Sequence, residues 1–142
     1  MKFMTTLARI LLGAVFLYAA YDKILHPEAF SLIVQKYRIL PPQFANLIAI
    51  FLPWLEAVCG LALVTGIKSR GAAFLVTLLM VVFIAALGFN FLRGLDVQCG
   101  CFGTDPAKGD ARMDLIRDAA ILLLAVIVLA AQSARKDRRS LL

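Results

Sequence analysis

Apolar residues fall in four long stretches along the chain, separated by short polar segments. They run from Thr5 to Ile24, from Phe44 to Gly66, from Gly71 to Leu92 and from Leu115 to Gln132, and the last carries Arg117 and Asp118 near its start. A helix needs about 20 residues, each rising about 1.5 Å, to cross about 30 Å of hydrocarbon. The pattern predicts four membrane-crossing helices, the fourth with its charged pair at the interface. Between the first two, over Leu25–Gln43, Phe30, Ile33, Val34 and Tyr37 recur at helical spacing, while Glu28, Ser31, Gln35, Lys36 and Arg38 largely take the other face. Pro27 suits a first helical turn, and Pro41-Pro42 would end the segment. This predicts an amphipathic helix lying flat on the outer membrane surface, a lid beside the polar segment between the third and fourth spans. The expected fold is all-α: an integral membrane four-helix bundle with an interfacial amphipathic helix between the first two spans. Residues 1–142 form one transmembrane domain, and 133–142 read as a basic, disordered cytoplasmic tail.

Composition strengthens the membrane reading. Residues of the hydrophobic class make up 62% of the chain, against roughly 45–50% apolar in soluble domains. The net charge of +6 would suggest nucleic acid in a soluble protein, but in a membrane protein basic residues collect at cytoplasmic helix ends. No nucleic-acid partner is expected; the lipid membrane is. The first apolar run is read as a retained helix rather than a cleaved signal, because cutting after Ala20 or Ala19 would leave Tyr18 or Leu17 at the −3 position. Lys2, the close pair Lys68 and Arg70, and the run "RKDRR" from Arg135 are packed into short segments. Lys23, Lys36, Arg38, Arg93, Lys108 and Arg112 are more dispersed. The expectation is a bacterial inner-membrane protein with both termini cytoplasmic. The segment Arg93–Asp114 would then face an oxidising compartment.

That segment contains Cys99-Gly100-Cys101, the sharpest chemical feature of the chain. Gly100 permits a tight turn, and strained, exposed disulfides are the exchange-prone ones. Reversible dithiol–disulfide cycling is one reading, a static disulfide shaping the loop another. Two thiolates also suit linear Cu(I) or Hg(II), but fall short of a zinc site; no metal ligand is assigned. Asp114 and Arg117 share a helix face and should touch. With Arg112 and Asp118 they form either an interfacial salt-bridge cluster or a cationic site at which Arg112 or Arg117 stabilises a thiolate or a quinone oxygen. Glu56 lies deep in the second span, so it should face other helices and have a partner. By helix rise Arg9 is favoured over Lys23 for that partner. Cys59, one turn beyond Glu56, reads as a small packing residue. His26, the single histidine, reads as a solvated helix-end residue, with a base role as the alternative.

Arg9, "YDKILHPEAF" and "LPWLEAVCGLALVTG" resemble the DoxX-like membrane proteins, and "CGCFG" at Cys99–Gly103 is similar to the MauE branch of that group. The likeness runs from about Arg9 to Leu129. It implies a four-helix bundle linked to thiol or sulfur redox chemistry. MauE is associated with maturation of methylamine dehydrogenase, a disulfide-rich periplasmic enzyme; other DoxX relatives are tied to thiosulfate:quinone oxidoreduction. His26 stands where relatives often have Asp. The architecture also resembles the quinone-linked disulfide generators of the DsbB and vitamin K epoxide reductase type, which use two cysteine pairs. This chain has one pair and the remote Cys59. The expected function is therefore thiol/disulfide or sulfur redox exchange on the periplasmic side. Cys99, Cys101, Glu56 and Arg117 are the candidate catalytic residues, and Arg112 and Arg117 the candidate contacts to a respiratory quinone. A periplasmic thioredoxin-like protein is the candidate partner. A soft-metal binding or transport protein and a non-catalytic assembly partner are the alternatives.

Overall fold

The computed structural model describes residues 2–95 and 110–140, with side chains placed for 3–95, 110 and 112–135. Five helices account for its secondary structure: α1 (Lys2–Leu25), α2 (Pro27–Lys36), α3 (Pro42–Thr65), α4 (Ser69–Leu92) and α5 (Ala111–Ser140). Among the described residues, α1, α3 and α4 are long and apolar enough to cross a membrane. The fourth predicted span lies within α5. Large apolar side chains such as Phe51, Trp54, Val58, Leu61, Phe74 and Val82 stand exposed on α3 and α4. A soluble monomer rarely leaves that much contiguous apolar surface uncovered, whereas lipid covers it.

Inside the bundle, α1 packs on α3, α4 on α5, α3 on α4 and α1 on α5. One core cluster draws on all four long helices: Leu12 and Phe16, Cys59 and Leu63, Val76 and Met80, Ala125 and Val128. The α1–α3 crossing is the tightest point. A Cβ on Gly13 would lie 2.8 Å from the Gly60 carbonyl oxygen, and one on Gly60 would lie 2.9 Å from the Gly13 oxygen. Small residues let helix backbones approach in a lipid environment, where apolar burial gives no extra drive to association. The two glycines therefore set the register of α1 against α3. Gly66, at φ 83°, caps α3 in the left-handed conformation and donates its N–H to the Ala62 carbonyl.

The segment between α1 and α3 departs from expectation in two ways. The short helix ends at Lys36, five residues before the prolines, where Tyr37 caps it and Arg38 turns left-handed at φ 49°. Pro41 and Pro42 instead open α3, with Pro42 in the first turn where its missing N–H costs nothing. Second, the apolar face of α2 is turned into the bundle: Phe30, Ile33 and Tyr37 are buried, and Ile33 and Tyr37 pack with Ala86 and Leu95. Ser31 donates to Asn46 Oδ1 on α3 and accepts from Gln35 Nε2 at 3.2 Å, fastening α2 to α3. As a result α2 is a lid on the helix ends.

Candidate functional site

Beneath that lid is a group of buried polar side chains. Lys23 of α1 and Glu56 of α3 are each 1% exposed. Lys23 Nζ donates to both carboxylate oxygens of Glu56 at 2.9 Å. The ammonium also sits over two aromatic faces, 5.1 Å from the Phe30 centroid and 5.5 Å from that of Phe83. The ring quadrupoles attract the cation at those distances. Asn90 of α4 and Asp118 of α5 are also fully buried. The Lys23 charge reaches Asp118 through space. Asn90 Nδ2 donates to the Ala86 carbonyl at 3.1 Å. Asn90 Oδ1 and both Asp118 oxygens have no hydrogen-bond partner among the described residues.

The choice of Lys23 rather than Arg9 corrects the sequence reading, and its cause is side-chain direction. Counted from the Gly13–Gly60 crossing, Lys23 is ten residues along α1 and Glu56 four residues back along α3. The α-carbons are thus offset by about 9 Å along the bundle. Helical side chains lean toward their own N-terminus. Because α1 and α3 are antiparallel, Lys23 and Glu56 lean toward each other and close the gap. Arg9 and Glu56 lie on opposite sides of the crossing and lean apart. Arg9 instead lies against the end of α3, where a Cβ on Gly66 would come within 2.8 Å of its guanidinium.

At the rim, Arg117 Nη2 is 3.0 Å from Asp114 Oδ1, the contact expected from their spacing. Its Nε is 3.6 Å from Asp118 Oδ1, an ion pair too long for a hydrogen bond. Arg112 is exposed. Burial, then the charges of Asp118 and Asp114, hold the Tyr37 phenol above its ordinary range. His26 is an exposed residue that caps α2 without a side-chain hydrogen bond to it, its Nδ1 3.3 Å from the Asp22 carbonyl and 3.7 Å from Asp22 Oδ1. Cys59 is a buried free thiol in the core cluster. Cys99 and Cys101 lie outside the described residues.

Of the predicted site residues, then, Glu56 occupies the centre, Arg117 the rim and Arg112 the surface. Lys23 ranks behind Arg9 in the sequence reading, Asp118 is expected in an interfacial cluster and Asn90 is missed, although intramembrane polar residues are costly enough to flag all three. Asp118 reads as interfacial because its distance from the helix start is legible in the sequence, whereas its full burial arises from packing between helices.

These features define an all-helical, multi-pass membrane protein with an ion pair sealed inside the helix bundle. The chain matches the family described as "Methylamine utilisation protein MauE" over residues 1–131, and it belongs to that family. It is 33% identical over 121 residues to "Methylamine utilization protein MauE" of Paracoccus denitrificans, covering 84% of this chain and 65% of that one. With the protein of the same description from Methylorubrum extorquens it shares 37% identity over 99 residues, 69% of this chain and 53% of that one. The chain spans between half and two thirds of the length of the curated relatives it matches. No solved structure matches.

Proposed function

We propose that this protein exchanges thiol electrons on the outer face of a bacterial inner membrane, with both termini cytoplasmic and α5 as the fourth span. In doing so it would support disulfide maturation of a periplasmic enzyme of methylamine utilisation, methylamine dehydrogenase being the type. The carrying observation is the Cys99-Gly100-Cys101 spacing in the segment joining α4 to α5. Family membership and the buried charges at the adjoining helix ends support it.

In this reading a client thiolate attacks the Cys99–Cys101 disulfide, forming a mixed disulfide and releasing one cysteine. A second client thiolate then displaces the other. The client gains a disulfide, and Cys99 and Cys101 become two thiols. A quinone restores them, taking two electrons and two protons to become the quinol; a thioredoxin-like protein is the alternative acceptor. Arg112, exposed near the start of α5 and without an ion pair among the described residues, is the better cation for a thiolate or quinone oxygen. Arg117 is already committed to Asp114. Glu56 serves as the proton-exchanging carboxyl, coupled to Asp118 by the ammonium both attract.

Thiol trapping in cells with and without respiratory quinone tests the reading. The pair should be mostly oxidised with quinone and accumulate as dithiol without it. Cys99→Ser or Cys101→Ser, one and not the other, should trap a mixed disulfide. A pair always reduced, or oxidised without turning over, would favour metal binding or a static staple and overturn the redox role.

A further inference from the structure

The opposite end of the bundle has a cavity of ≈ 370 Å³ between α1, α4 and α5. Three arginines converge on it from different helices: Arg9 from α1, Arg70 from the first turn of α4 and Arg135 from α5. Arg9 Nε is buried there without a hydrogen-bond partner, and so is the Gln132 amide nitrogen. Ser69 reaches only the other side of that amide, its Oγ donating to Gln132 Oε1 at 3.2 Å. Among the described residues no acidic side chain lines the cavity, and no carboxylate pairs with any of the three arginines. The first turn of α4 starts here without a side-chain cap, so its free amides and the positive end of its dipole add to the same field.

Three like charges held together with unmet donors are unfavourable unless an anion completes them. A guanidinium presents a planar fork of N–H groups that matches phosphate oxygens in pairs. The cavity exceeds the size of a bare oxyanion and leaves room for a small group attached to it. It also opens at a helix end, where basic pockets between spans take phospholipid headgroups. We propose that this cavity is a phosphate-binding site, with Arg9, Arg70 and Arg135 as anion ligands and Gln132 as a further donor. The phosphate belongs either to an anionic phospholipid or to a small soluble phosphate ester. The site is independent of the thiol chemistry proposed at the other end.

The test uses the full chain, purified and delipidated in a neutral detergent. One arm adds phosphatidylglycerol in mixed micelles; the other adds inorganic phosphate or glycerol phosphate. Native mass spectrometry reads retention and thermal unfolding reads stabilisation. Retention in the first arm alone assigns the lipid, and in the second a soluble phosphate. Arg70 and Arg135 are exposed, so Arg70→Gln and Arg135→Gln should fold as the parent does. Each should weaken retention about tenfold, as expected for loss of one charge-assisted contact. Arg9→Gln should do the same, judged only after its ligand-free unfolding is shown to match the parent. Lys68→Gln, a neighbouring exposed charge outside the cavity, should change nothing. Absence of retention in both arms would overturn the site. So would equal retention by the arginine variants, or an equal loss with Lys68→Gln.

Discussion

The two ends of this bundle concentrate charge in opposite ways. At the α2 end one ammonium meets two carboxylates, Glu56 by direct hydrogen bonds and Asp118 through space, under a helical lid. At the other end three guanidiniums line an open cavity with no acid among its described walls. The first is neutralised from within, so losing either member of its ion pair should damage the fold. The second lacks internal neutralisation, so its exposed charges should be dispensable for folding and important for an external anion. Charge number alone does not separate structural from binding roles; whether the counter-charge is part of the chain does.

The largest expected effect follows from leaving one charge of the sealed pair alone. Lys23→Met strands the Glu56 carboxylate, and Glu56→Leu strands the ammonium. Each should cost about 3–5 kcal/mol, the range for breaking a buried pair. Glu56→Gln should be milder, because the amide still accepts from Lys23. The double change Lys23→Met with Glu56→Leu should recover much of the loss. Chemical denaturation in detergent measures all four. Additive losses in the double variant would show that the two groups do not support each other.

Next in size is the close approach that brings the pair together. Gly13→Ala and Gly60→Ala each place a methyl against the opposing backbone oxygen, and should cost about 1–3 kcal/mol by overpacking. Cysteines placed at both Lys23 and Glu56 and bridged by a short bifunctional maleimide should also crosslink less readily in either background. Unchanged crosslinking would mean that the register does not depend on the glycines.

Smaller still is the response to alkali at the lid. Tyr37 is held above the ordinary tyrosine range by burial and by Asp118 and Asp114. The folded state therefore keeps its phenolic proton more tightly than the unfolded chain. Stability should be intact below the unfolded value near 10 and fall as the pH rises beyond it. Tyr37→Phe should flatten that fall in melts taken between pH 9 and 11. An unchanged slope would place the responsible group elsewhere.

The smallest effect belongs to the rim. Asp114→Asn removes the partner of Arg117, which is 41% exposed. With Arg117 exposed and Asp114 largely covered, the pair should contribute near the upper end of the roughly 0.2–1 kcal/mol seen for exposed pairs. A loss as large as that from Lys23→Met would mean that Arg117 is needed to hold Asp118 inside the bundle.

The helical class of the fold was readable from the chain, because apolar stretches of membrane-crossing length and a 3.6-residue period are local signals. So was the need for Glu56 to have a partner: the cost of a charge at that depth is independent of which residue supplies the relief. The identity of that partner was not readable. Counting residues from the span ends favoured Arg9, whereas the Gly13–Gly60 contact and the opposed lean of side chains on antiparallel helices deliver Lys23. The same limit applies to α2, whose amphipathic pattern is legible but equally consistent with a lipid or a protein surface beneath it. It applies again to Arg9, Arg70 and Arg135, which are far apart in sequence and acquire a common cavity when α1, α4 and α5 come together. Periodicity and desolvation cost act within a helix; register, partner choice and the convergence of charges arise between helices, where sequence distance carries no direction.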